Sequence, residues 1–103
     1  MNYREFPLKT NHQRNYIRLS DILDFFEPQI FGGATKANLA LQLARVQYGN
    51  QPAIEDDIPS GHHFFRRRES GLVTKFLDDN NIQSGDMVRL ERVAAFSYRF
   101  TPV

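Results

Sequence analysis

Turn signals come so close together in this chain that no long element fits between them. Gly32-Gly33, Tyr48-Gly49-Asn50-Gln51, Pro59-Ser60-Gly61, Asp78-Asp79-Asn80-Asn81 and Ser84-Gly85-Asp86 cut it into short pieces. Glycine and asparagine enter positive φ at little cost, and proline ends helices and ladders, so each cluster is a physical break. The pieces between them alternate. Ile17 and Leu19 share one face against Tyr16 and Arg18, and Phe96, Tyr98 and Phe100 share one face of a last run. Period-two patterning of this kind predicts strands over 14–19, about 53–58, through Phe64 and Phe65, over 87–93 and over 96–101. Residues 1–8 form an arm or first strand interrupted by Pro7.

Two pieces read as helices. Ser20 is a suitable N-cap for Asp21–Phe26, and Pro28 stops that helix. A second helix starts at Glu69 or Ser70 and carries Leu72, Val73, Phe76 and Leu77 on its buried face. Ala37–Tyr48 admits two readings: Leu39, Leu41 and Leu43 alternate as a strand would, while ANLALQLAR favours a helix. The hairpin signal at Gly49-Asn50 tips the balance to strand. The fold class expected is mainly β with two short helices, a small, partly open barrel of about six or seven strands in a single domain spanning 1–103.

Composition narrows the function classes. A chain of 103 residues supports one modest core, and nine Phe with four Tyr make that core aromatic. With no cysteine, disulfides and thiolate metal sites are excluded. No apolar run approaches the roughly 18 residues that span a membrane, and MNYREFPLKT has no signal-peptide core, so a cytoplasmic protein is expected. The net charge of +1 is uninformative, but its distribution is not. Residues 1–18 carry +3 (Arg4, Lys9, Arg14 and Arg18 against Glu5), 19–61 carry −4, 62–75 carry +3 and 76–103 carry −1. Two separated basic segments would make one basic face if folding joined them.

The segment FRRRESGLVTKFLDDNNIQSGDMVRLER resembles the C-terminal half of the DNA-binding pseudobarrel family, which includes the plant "B-three" domain and the effector-DNA-binding domain of the EcoRII restriction endonuclease. A related domain occurs in the BfiI restriction endonuclease. The matching residues are Phe76, Leu77, Ile82, Gly85, Asp86, Val88 and Leu90. The aromatic signature of the plant domain ahead of its helix is absent, which points to a bacterial restriction-type relative. The resemblance implies a pseudobarrel whose two arms grip double-stranded DNA in the major groove and read its sequence. It also implies a partner nuclease, as a covalently linked domain or a separate restriction-modification subunit.

The residue chemistry agrees. Arg pairs bidentately with guanine, and Asn or Gln with adenine. The first arm offers Asn11, Gln13, Arg14 and Asn15, with Arg18 beyond them; the second offers Arg66, Arg67 and Arg68. Lys9, Thr10, Ser60, His12, His62 and His63 suit phosphate contacts, which position without reading. In an extended chain Arg67 points away from Arg66 and Arg68, so one of the three is expected to be structural, paired with Asp56 or Asp57.

Other constellations read as bland. His62-His63 diverge in an extended chain and His12 is distant, so no metal site is expected. Glu55-Asp56-Asp57 reads as a solvated turn or a salt-bridge partner rather than a nuclease centre. No nucleophile triad is visible, Gly32-Gly33 is no phosphate loop, and the Phe and Tyr stripes read as core. The domain is expected to have no catalytic activity and no cofactor. The alternative reading is a protein-interaction module that grips an acidic partner and has no DNA affinity.

Overall fold

A computed structural model describes residues 2–68 and 71–103. The protein is mainly β, with five strands in one open sheet: β1 (Tyr3–Pro7), β2 (Ala44–Tyr48), β3 (Ile54–Asp56), β4 (Met87–Ala94) and β5 (Ser97–Pro102), in the order β1-β4-β5-β2-β3. All neighbours are antiparallel except β2 and β5, which run parallel.

The expected alternation builds this sheet. Ala44, Val46 and Tyr48 on β2, Val88 and Leu90 on β4, and Tyr98 and Phe100 on β5 all turn inward. Tyr48 and Phe100, opposite each other in register, stack at 4.9 Å. Helix α1 (Leu72–Asp79) buries Val73, Phe76 and Leu77, the i, i+3, i+4 face read from its sequence. Burial of each such side chain contributes about 1.5–3 kcal/mol. Ser20–Phe25 folds as a 3-10 helix rather than an α-helix and buries Ile22 and Phe25. Ser20 does not cap it: the cap position is Leu19, without a side-chain bond. The part of the α1 start assigned to Glu69 or Ser70 lies outside the described residues.

The Gly-Asp turn is a clasp. Asp86 accepts the backbone N–H of Gln83 at 2.8 Å, and Gly85 stands at φ +91°. The turn then bonds Leu8 twice, Gly85 N to Leu8 O at 3.0 Å and Leu8 N to Asp86 O at 2.8 Å. The chain therefore leaves a fixed point just before Lys9.

Three expectations about strands need correction. Residues 14–19 bury Ile17 and Leu19 and turn Tyr16 and Arg18 outward, but they form no ladder. Arg14 sits at φ +55°, and scattered bonds rather than a ladder hold the run, among them Arg18 N to Lys9 O and Leu19 N to His63 O. Phe64 and Phe65 likewise lie in irregular chain. Residues 37–43 are neither strand nor helix. Gly33 N bonds Asn38 O at 2.6 Å and Asn38 N bonds Thr35 O at 3.0 Å, a folded loop that leaves Leu39 half-exposed and Leu41 fully exposed. The six or seven strands expected become five among the described residues for these reasons.

Candidate nucleic-acid interface

Folding joins the two basic segments. Leu19 donates its backbone N–H to His63 O at 2.6 Å, Ser20 Oγ lies 3.1 Å from His63 Nδ1, and Tyr16 stacks on Phe64 with ring centroids 4.8 Å apart and planes within 2°. Residues 16–20 thus run beside 62–64.

The first segment, Lys9–Asn15, is a loop closed on itself. Thr10 Oγ1 donates to Tyr16 O at 2.5 Å, and Asn11 Oδ1 accepts the N–H of Asn15 at 3.0 Å. Asn11 Nδ2 reaches Asn15 Oδ1 at 2.6 Å and Gln13 Oε1 at 3.0 Å. His12, Gln13 and Asn15 are exposed at its tip. Arg14 is tied to α1: Nη2 donates to Ile82 O at 2.8 Å and faces Asp78 at 3.4 Å, while its carbonyl accepts the Thr74 hydroxyl at 2.9 Å. Lys9 pairs with Asp21 at 3.2 Å. The Arg18 side chain is exposed and has no partner among the described residues.

The second segment is organised by two buried carboxylates, not by a solvated turn. Asp56 and Asp57 are each 1% exposed. Asp56 accepts backbone N–H groups from Asp57, Arg67 and Arg68 at 2.8–2.9 Å. Burial pushes its carboxyl above the usual range, against the pull of those N–H donors. Asp57 is the salt-bridge partner expected, and its arginine is Arg66. Nε lies 2.6 Å from Oδ1 and Nη2 3.0 Å from Oδ2. The guanidinium also donates to Gly33 O at 2.7 Å and Thr35 O at 2.9 Å. The structural arginine of the triplet is therefore Arg66, turned inward, and not Arg67. The strand geometry that placed Arg66 with Arg68 does not exist here, because Arg68 stands at φ +45° and the carboxylates set the side-chain directions.

Arg67 is exposed and donates Nη1 to Glu55 O at 3.2 Å. Arg68 lies over aromatic rings, its Cζ 4.6 Å from the Phe64 centroid and 5.7 Å from that of Tyr16. Among the described residues it has no carboxylate partner. His62 is exposed with its ring 5.3 Å from Phe64, His63 is exposed against Ser20, and Ser60 is exposed in the turn. A cleft of about 220 Å³ between the segments is lined by Asn15, Arg67, Arg68, Gly71 and Val73.

Ion pairing redistributes the charge that the sequence displays. Carboxylates neutralise Arg4, Lys9, Arg14, Arg66 and Lys75 within the two basic segments, and beside the junction Arg18 and Arg68 have no carboxylate partner among the described residues. Among the described residues no group of three or more His, Asp or Glu side chains is placed to hold a metal ion. No described helix is long and apolar enough to cross a membrane.

Sequence reasoning placed Tyr16 on the outward face but missed the partly exposed Phe64 and the stack between the two rings. The signal was present: Tyr16 lies on the polar face of the 16–19 alternation. Of two adjacent phenylalanines in extended chain, one must face out. Phe65 is buried and Phe64 only partly so. No protein-family model, no curated protein and no solved structure matches this chain.

Proposed function

We propose that this chain is a double-stranded DNA-binding domain that reads sequence through two arms, a pseudobarrel-type recognition module of a restriction-modification protein with no catalysis of its own. The observation that carries the reading is the junction of the two basic segments. Residues separated by more than forty positions meet through a backbone bond and a ring stack, with Arg18 and Arg68 beside it and without a carboxylate partner among the described residues.

The roles within the arms follow from which groups are already engaged. Arg66, Arg14 and Lys9 brace the arms from within, since their charges are met by Asp57, Asp78 and Asp21. Gln13 and Asn15 present amide groups at the first tip, suited to adenine edges in the major groove, while Asn11, bonded to both of them through its own amide, holds the tip together. Arg18 and Arg68 supply the cationic contacts of the second arm and its neighbour, with His12, His62, His63 and Ser60 available to phosphates, while the Thr10 hydroxyl closes the first loop on Tyr16 O and Arg67 holds Glu55 O. Backbone strain supports this assignment. Of the four described non-glycine residues in the left-handed conformation, Arg14 and Arg68 lie one in each arm, with Asn81 and Phe96 in turns elsewhere, and such strain gathers at binding sites and tight turns.

Selection from a pool of random duplexes at moderate salt tests the proposal. Enrichment of a defined site is expected. Absence of any enriched sequence, with retained affinity for an acidic protein, would establish the interaction-module reading instead.

A further inference from the structure

Beside the arm junction lies a second cleft of about 220 Å³, lined by Ala34, Lys36, Pro59, His62, Phe64 and Arg66. Its floor is apolar, from Ala34, Pro59 and the Phe64 ring, and its rim is basic. Lys36 is exposed and has no partner among the described residues, and the His62 ring lies 5.3 Å from that of Phe64, tilted by 56°. Arg66 fixes the wall, because its guanidinium ties the loop carbonyls of Gly33 and Thr35 to Asp57. The Phe64 ring is itself immobilised by the parallel Tyr16 ring and by Arg68.

A rigid aromatic surface, partly open to solvent and with the Lys36 ammonium beside it, fits a flat π system attached to an anion. A nucleotide has that chemistry. A base inside a duplex shows only its edges, so a ring face becomes available only when the base leaves the stack. An acidic peptide would satisfy Lys36 and His62 but would leave the Phe64 face without a flat partner. We infer that this cleft receives one unstacked nucleobase of the bound DNA, laid against Phe64, with Lys36 on the adjoining phosphate. The inference deepens the DNA-binding reading and rests on it. Stacking on an aromatic side chain is sequence-tolerant, so the cleft adds affinity without adding sequence information.

The test uses the whole chain and three probes: a fully paired duplex, the same duplex with one bulged 2-aminopurine, and a single-stranded oligonucleotide carrying 2-aminopurine. The bulged duplex should bind about tenfold more tightly than the paired one, with the probe's fluorescence quenched. Phe64→Leu should remove most of that ratio and the quenching, and Phe64→Tyr should restore both; circular dichroism checks that each variant is folded. Equal affinity for bulged and paired duplexes, or a preference that survives Phe64→Leu, overturns the inference and leaves the double-strand reading intact. Binding of the single strand alone, dependent on Phe64, would keep the cleft and remove the double-strand reading. Binding of none of the three removes both.

Discussion

Replacing Arg66 with alanine separates a bracing role from a base-reading role. In the structure its guanidinium makes two bonds to Asp57 and two to loop carbonyls, and the side chains of the pair are 9% and 1% exposed. Removing one partner of a buried pair strands the other charge and costs about 3–5 kcal/mol. One of the four bonds, to Thr35 O, lies at the exposed end of the guanidinium, so the lower end applies, about 3 kcal/mol. A domain of this size has an urea m-value of about 1.2 kcal/mol/M, which converts the loss into a midpoint lower by about 2.5 M. Arg66→Lys keeps the charge but not the fork, and should fall between. Asp57→Ala should be at least as damaging, because Ala40 N also loses its acceptor, now at 2.8 Å. In a double-mutant cycle the two losses should be strongly non-additive. If Arg66→Ala shifts the urea midpoint by less than about 0.3 M and instead relaxes sequence preference, the bracing argument is wrong and Arg66 reads bases.

Gly32→Ala should destabilise by about 1–3 kcal/mol in the same urea assay, since a Cβ there would meet Asp57 Oδ2 at 2.3 Å and Ala40 N at 2.7 Å. Arg18→Ala should weaken binding to unrelated duplexes similarly and lower the slope of log affinity against log salt by about one, whereas Lys9→Ala, whose charge is met by Asp21, should change the slope less. The hydrogen bond from Arg4 holds the Asp24 carboxyl below the usual range. Its contribution to stability is thus present above the ordinary carboxylate pKa and fades as pH falls through the depressed one. An NMR titration of Asp24 should show this depression in the parent and its loss in Arg4→Ala. Leu41→Ser, at a side chain fully exposed on its loop, should leave the midpoint within experimental error.

What could be read in the sequence was what local chemistry decides. β4, β5, α1 and the Gly-Asp turn carry their own periodicity and their own left-handed glycine, and each formed close to its expected bounds. The hairpin at Gly49-Asn50 formed for the same reason, joining β2 to β3. Residues 14–19 show where that logic stops. Their alternation sorted buried from exposed side chains correctly, yet a ladder also needs a partner strand, and the neighbouring chain at 62–65 is irregular. Leu39 and Leu41 alternate as convincingly as any strand here, but the loop is folded by Asp57 and Arg66 from elsewhere in the sequence. At the candidate site, charge counting located the two basic segments that folding joins. It could not show which cations were already neutralised, because each pairing spans distant positions, Arg14 to Asp78 among them.

The strand order has a consequence for the birth of the molecule. β5, formed by residues 97–102, lies at the middle of the sheet, between β4 and β2, and β1 joins the sheet only through β4, with Tyr3 opposite Glu91. During synthesis the first strand must wait for more than eighty residues before its mate exists, and the arm that follows it waits too. Until β5 leaves the ribosome, β2 and β4 present unfilled edges with no strand to bridge them. Folding is therefore a late event, slow for a chain this short because its pairings are remote. A chain interrupted before Ser97 would be not a weakened fold but one with no finished sheet, its open strands available to whatever meets them first.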